Sequence, residues 1–148
     1  MNIVLMSATG ADGAAIGAIL SGWIDETDWM PRMHSIEQDL QHGCFLVAVC
    51  EVTVARQNGE VIGFLARQGS DIQALYLKHD ARGAGVGQNL LDQAKRQVGC
   101  LVLWSFQANG AALRFYKKHG FIEDQRTNGT GNDEGLPDVH MIWERDAA

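Results

Sequence analysis

Apolar positions fall in short runs divided by glycines and polar turns, and their spacing changes character along the chain. Ile3-Val4-Leu5-Met6 predicts a short strand. Ile16, Ile19, Leu20 and Trp23 recur at helical spacing and predict a helix from about Ala11 to Trp23, with Thr9 and Asp12 as an approximate capping box. Asp25 to Pro31 reads as a loop. Ser35 and Gln38 form a second capping signature, so a short helix is expected to run to about His42 and stop at Gly43. Phe45 to Arg56 is apolar and β-branched, and reads as one long strand with a bulge or bend. Asn58-Gly59 is a hairpin turn, with Glu60 to Arg67 returning, Gly69-Ser70 turning again and Ile72 to Lys78 as a further strand. Three consecutive antiparallel strands are therefore expected.

Beyond this meander the period becomes helical again. Val86, Leu90, Leu91, Ala94 and Val98 share one face, which predicts an amphipathic helix from about Gly85 to Val98. Cys100 to Phe106 is continuously apolar, the pattern of a strand buried on both faces. Asn109 suits the cap of a third long helix carrying Ala112, Phe115 and Tyr116 on one stripe, with Gly120 closing it. Phe121 to Arg126 and Val139 to Arg145 read as strands on either side of a polar loop, 128–138. The order is β-α-α-β-β-β-α-β-α-β-β, an α/β (α+β) chain with a mixed sheet and helices on both faces.

Composition narrows the function. The 148 residues suit one domain, 1–148, and 17 glycines against 2 prolines exceed the roughly 10 glycines of average usage. Twelve basic and 18 acidic residues give a formal charge of −6, which disfavours nucleic acid and weakly favours a cationic partner. Cys44, Cys50 and Cys100 form no C-x-x-C pair; they read as buried free thiols, and no metal site is expected. No apolar run is long enough for a bilayer span, and residues 1–7 lack a basic flank. The expected location is the cytoplasm, with no membrane partner.

The sharpest local signal is Arg82-Gly83-Ala84-Gly85-Val86-Gly87, between a strand and a helix. A helix start leaves four N–H groups unpaired and carries partial positive charge, so glycines there let an anion reach the backbone. Arg82 would add a fork of donors. The spacing fails the dinucleotide fingerprint, since Gln88 stands where the last glycine is needed, and no Lys-Ser or Lys-Thr completes a Walker loop.

This segment resembles the acetyl-CoA motif R/Q-x-x-G-x-G/A of the GNAT superfamily of N-acetyltransferases, with Arg82, Gly85 and Gly87 at its fixed positions. Asn109-Gly-Ala-Ala-Leu-Arg-Phe-Tyr116-Lys-Lys-His-Gly-Phe121 is similar to the second family motif, N-x-x-A-x-x-F-Y-x-x-x-G-F. The two motifs cover about residues 72–122. The resemblance implies a mixed, mostly antiparallel sheet of six to seven strands, and acetyl-CoA as cosubstrate. It implies that amides of Arg82, Gly83, Ala84, Gly85, Val86, Gly87 and Gln88 hold the pyrophosphate, and that the main chain of Tyr76 and Leu77 pairs with the pantetheine arm. Asn109 would lie near the pantetheine and Tyr116 beside the sulfur. Family members are often dimers, so the resemblance admits a homodimer, although no heptad or exposed strand demonstrates one.

Amide formation from a thioester needs a neutral amine, a stabilised oxyanion and a protonated leaving thiolate. Leu77 N–H could polarise the carbonyl. Tyr116 suits protonation of the sulfur, because a phenol at pKa about 10 lies close to an alkyl thiol. No base is evident: Asp71 and Gln73 lie on the fourth strand, Glu26 and Asp28 after the first helix, and Glu134, Asp138 and His140 around the last loop, while water could also serve. His79 lies beside the glycine loop; His34, His42 and His119 read as helix-end residues. Trp23, Trp29, Met30, Met33 and Trp143, with acidic Asp25, Glu26 and Asp28, could hold an amine bearing an apolar body, or could simply be packing. The expected activity is direct acetyl transfer to a primary amine of a small molecule or peptide. The alternative is a non-catalytic acyl-CoA-binding module.

Overall fold

The computed structural model describes residues 2–145; positions 1 and 146–148 of the expected 1–148 domain lie outside the described residues. Seven strands form one sheet: β1 (Ile3–Ser7), β2 (Glu51–Gln57), β3 (Glu60–Gln68), β4 (Asp71–Leu77), β5 (Cys100–Phe106), β6 (Ile122–Thr127) and β7 (Asp138–Glu144). The helices are α1 (Gly13–Glu26), α2 (Ile36–Val49), α3 (Val86–Gln97) and α4 (Gly110–Lys118). Strand order is β1-β2-β3-β4-β5-β7-β6, and every neighbouring pair is antiparallel except β4–β5. The expected element order and mixed sheet are both present.

Two cores lie on the two faces of this sheet. Val86, Leu90, Leu91 and Ala94 of α3 and Tyr116 of α4 pack with Leu101, Leu103, Val139 and Met141. Ile16 and Ile19 of α1 and Leu46 of α2 pack with Val52, Val54, Val61 and Phe64 on the other. Each fully buried aliphatic or aromatic side chain contributes about 1.5–3 kcal/mol.

The largest departure from expectation is α2. It does not end at Gly43 but continues to Val49, so the first five residues of the apolar run starting at Phe45 are its C-terminal end and β2 begins only at Glu51. Gly43 sits where α2 crosses α1: a Cβ there would meet Gly13 O at 2.2 Å, and one on Gly17 would meet Asp39 O at 2.3 Å. The close crossing outweighs the roughly 1 kcal/mol that glycine costs inside a helix. The Ser35–Gln38 cap is present, with Gln38 N–H donating to Ser35 Oγ at 3.1 Å and Ser35 N–H to Gln38 Oε1 at 2.8 Å.

Two smaller expectations are also corrected. β5 is not buried on both faces: Leu101 and Leu103 are buried against α3 and α4, whereas Trp104, with opposite parity, is 49% exposed. None of the cysteines is fully buried; Cys44 is exposed beside Gly13, and Cys50 and Cys100 are half-buried. Desolvation pushes the Cys50 thiol up, which keeps it protonated.

Candidate active site

The glycine loop joins β4 to α3 through one 3-10 turn, His79–Ala81. Gly83 (φ 83°) and Gly85 (φ 81°) both occupy the left-handed region, which a side chain would strain. A Cβ on either would meet nothing within 4 Å, so the space over the loop is open. Gly85 caps α3, and the first ladder bond there is donated by Asn89 N–H to Gly85 O at 3.0 Å. The N–H groups of Val86, Gly87 and Gln88 therefore precede the ladder at the positive end of the helix dipole. No acidic residue occupies the first turn, while Lys95 and Arg96 lie in the last. The free amides and the open space give the loop the geometry of a backbone anion cradle.

The Arg82 side chain is not turned over that cradle. Its guanidinium pairs with Glu26 at the end of α1 and donates to Leu77 O at 3.2 Å. His79 Nδ1 lies 3.1 Å from the same Glu26 carboxylate. Glu26, a base candidate by sequence position, is thus engaged by residues flanking the glycine loop.

Beside the cradle the sheet comes apart. β4 and β5 share a single registered pair, Asp71↔Val102, supported by Val102 N–H donating to Ser70 O at 2.9 Å. Beyond it the strands diverge around a cleft lined by Gln73, Tyr76, Phe106, Asn109 and Tyr116. Gln73 is the extra residue of a bulge, since Ala66 pairs with Ala74 and Arg67 with Ile72. Lys78 N–H donates to Ile62 O at 2.8 Å, and strand alternation then turns Tyr76 N–H toward β3 and Leu77 N–H toward the cleft. The groups free to pair with a ligand are accordingly those of Leu75 and Leu77. The main chain of Tyr76 is committed to the sheet, which corrects the expectation for that residue.

Tyr116 is 8% exposed, packed edge-on against Phe115 and Phe121. Its hydroxyl has no hydrogen-bond partner among the described residues, and Tyr116 lines the cleft. Burial, helped by nearby Tyr76, holds its phenol well above the usual range, so the proton stays in place at neutral pH. Tyr76 is pushed up to about 12, mainly by desolvation and partly by the charge of Glu134. Asn109 caps α4, its Oδ1 accepting from Ala112 N–H at 3.2 Å.

The cleft opens at Trp23, Gln73, Ala74, Tyr76 and Phe106 into a larger cavity of about 540 Å³ under α1, α2 and the 27–35 loop. Trp23 lies 5.0 Å from Tyr76 and 5.8 Å from Trp29, and Trp29 lies 5.8 Å from Phe106, all between ring centroids. An aromatic wall thus spans the β4–β5 gap. Met30 and Met33 line the cavity as expected, but Trp143 does not: it is on the opposite face against Lys95 and Gly120. His34 and His42 line its far end.

Most acidic groups once counted toward the acceptor are engaged elsewhere. Arg32 donates to Asp25 and to Asp39, each at 2.7 Å, and to Ser21 O at 2.9 Å, pinning the 27–35 loop to both helices. Sequence reasoning passed over Arg32, although Asp25 and Asp39 flank it at equal spacing of seven residues. His140 Nδ1 pairs with Asp124 at 2.7 Å and its ring lies 4.8 Å from Trp104, away from the cleft. Asp71 lies at the closed end of the β4–β5 seam.

A family model described as an acetyltransferase (GNAT) domain matches residues 42–123, more than half of the chain. The chain belongs to the GNAT family, and is an acyltransferase that takes its acetyl group from acetyl-CoA. Among curated proteins it is 27% identical over 144 residues to the peptidyl-lysine N-acetyltransferase YjaB of Salmonella typhimurium, covering 97% of this chain and 99% of that one. The solution structure of apo YjaB from Escherichia coli has the same fold, with TM-score 0.81, 23% identity and coverage of 99% and 100%. The structure of yncA from Salmonella typhimurium with its cofactor acetyl-CoA gives TM-score 0.74 at 23% identity, covering 100% of this chain and 96% of that one. Among the described residues no cluster of His, Cys, Asp or Glu could hold a metal ion, and no helix is long and apolar enough to cross a membrane.

Proposed function

We propose that the protein acetylates the ε-amino group of lysine in a peptide segment, by direct attack on acetyl-CoA held in the same cleft. The observation that carries this reading is the junction of two spaces at Trp23, Tyr76 and Phe106: a cradle and cleft suited to acetyl-CoA, and a cavity without Lys or Arg that suits a cation on an apolar arm. The similarity to peptidyl-lysine N-acetyltransferases supports the choice of lysine.

In this reading the amides from Arg82 to Gln88 receive the pyrophosphate, and the main chains of Leu75 and Leu77 pair with the pantetheine. Acetyl-CoA supplies the activated acyl group. Leu77 N–H polarises the reacting carbonyl, and Asn109 borders the arm near the sulfur. The Tyr116 phenol, kept protonated by burial, delivers its proton to the departing sulfur. The test is thiol release from acetyl-CoA across lysine peptides, free lysine, small alkylamines and peptides with a free N-terminus. Fastest release with lysine side chains is expected. Binding of acetyl-CoA without thiol release for any of these amines would point instead to an acyl-CoA-binding module.

A further inference from the structure

The cavity that suits the acceptor needs a group that holds an ammonium and takes its proton. Three carboxylates line it and the neighbouring cavity of about 630 Å³ under the β6–β7 loop: Asp39, Asp138 and Glu134. Asp39 is held by Arg32 at 2.7 Å. Asp138 accepts from Thr127 Oγ1 and from Asn132 Nδ2, the latter at 3.2 Å. Glu134 is half-buried, borders both cavities, and has no hydrogen bond or ion pair among the described residues.

Its position is built rather than incidental. Asn132 closes the loop around it, with Nδ2 donating to Leu136 O at 2.7 Å and Leu136 N–H donating to Asn132 Oδ1 at 3.2 Å. Gln107 Nε2, from the β5–α4 connection, clamps both ends by donating to Thr127 O at 3.1 Å and Asp138 O at 3.2 Å. Phe106 and Tyr76 share the larger cavity with Glu134, and its charge is near enough to act on the Tyr76 phenol. The cavity therefore joins aromatic faces to one uncompensated negative charge at the mouth of the cleft.

We infer that Glu134 is the acceptor-docking carboxylate and proton acceptor of this enzyme, receiving a primary ammonium on a slender apolar arm. This deepens the lysine reading above and rests on it. The ammonium gives one proton to Glu134, which passes it to water. The freed nitrogen forms the N–C bond to the thioester carbonyl and the C–S bond breaks. The second nitrogen proton ends on sulfur through the Tyr116 phenol, so one amide, one thiol and one released proton balance the reaction. The titratable groups that share Glu134's two cavities are Tyr76, Asp39, His34 and His42 on one side and Asp138 on the other.

The experiment uses full-length protein saturated with CoA, with Nα-acetyl-lysine methylamide as probe, followed by calorimetry, and parallel turnover profiles against pH. Glu134→Gln, nearly isosteric, is expected to weaken probe binding about 10- to 100-fold, the loss of a charged hydrogen bond. Its acetyl-CoA affinity should stay unchanged, and its pH–rate profile should move to higher pH because the amine must then arrive already neutral. Glu134→Asp should recover part of both losses. Equal probe binding by wild type and Glu134→Gln, or an unmoved pH profile, each overturns the role of Glu134. Failure of the lysine reading looks different: the wild type would then bind acetyl-CoA but neither bind the probe nor release thiol with it.

Discussion

The two halves of the proposed active site are made of different material. On the cofactor side the binding groups are backbone: two left-handed glycines, the free amides of α3 and the unpaired edge of β4. On the acceptor side they are side chains: Trp23, Trp29, Tyr76, Phe106 and Glu134, brought from one helix, two strands and two loops. Backbone sites demand particular residues at fixed spacing, because only glycine tolerates the required φ. Side-chain sites tolerate many solutions, so their residues carry no fixed spacing.

The largest expected effect sharpens the border between the halves. Tyr116→Phe should lower kcat by about 10²- to 10⁴-fold, the usual worth of a positioned acid, with acetyl-CoA affinity unchanged by calorimetry. A large loss of affinity would mean that Tyr116 belongs to the binding half only. Gly85→Val comes next: forcing a β-branched residue to φ 81° costs about 1–3 kcal/mol, or about 5- to 150-fold in acetyl-CoA affinity if the loop shifts to relieve it. Binding of a lysine amide should be spared, and equal loss of both ligands would break the division.

Gly43→Ala tests the scaffold of the acceptor half. The added methyl meets backbone at the helix crossing, and a loss of about 1–3 kcal/mol in denaturant unfolding is expected. Alkaline pH should act more gently. Tyr76 and Tyr116 both have folded pKa values raised mainly by burial, so their contribution is full below the unfolded phenol value of about 10 and is lost as pH rises beyond it. Stability measured by denaturant titration should therefore bend downward above that pH, less so in Tyr76→Phe. The smallest effect is Glu26→Gln. Glu26 and Arg82 are both partly exposed, so their pairing is worth about 0.2–1 kcal/mol, and releasing Arg82 toward a phosphate should tighten acetyl-CoA by at most about fivefold.

The same division explains what could be read from the chain. The element order, the α3 start and both motifs were legible because amphipathic period, caps and glycine spacing are local. The course of α2 was not, because Gly43 reads as a stop unless the facing Gly13 and Gly17 are known. The side of the sheet to which Trp143 turns depends on register, which residue type does not encode. Which acids remain available depended on Arg32 and Arg82 reaching seven residues or more along the chain. Glu134 therefore stood among several candidates until Glu26, Asp138 and His140 were found paired.

Two helices in backbone contact have no slack between them. Since α1 and α2 meet at glycines whose missing side chains are the condition of the crossing, neither can slide without collision. Variation in the shape of the proposed acceptor cavity falls instead to the side chains that line it, where residues of the 27–35 segment and the β6–β7 loop can be exchanged without disturbing that crossing.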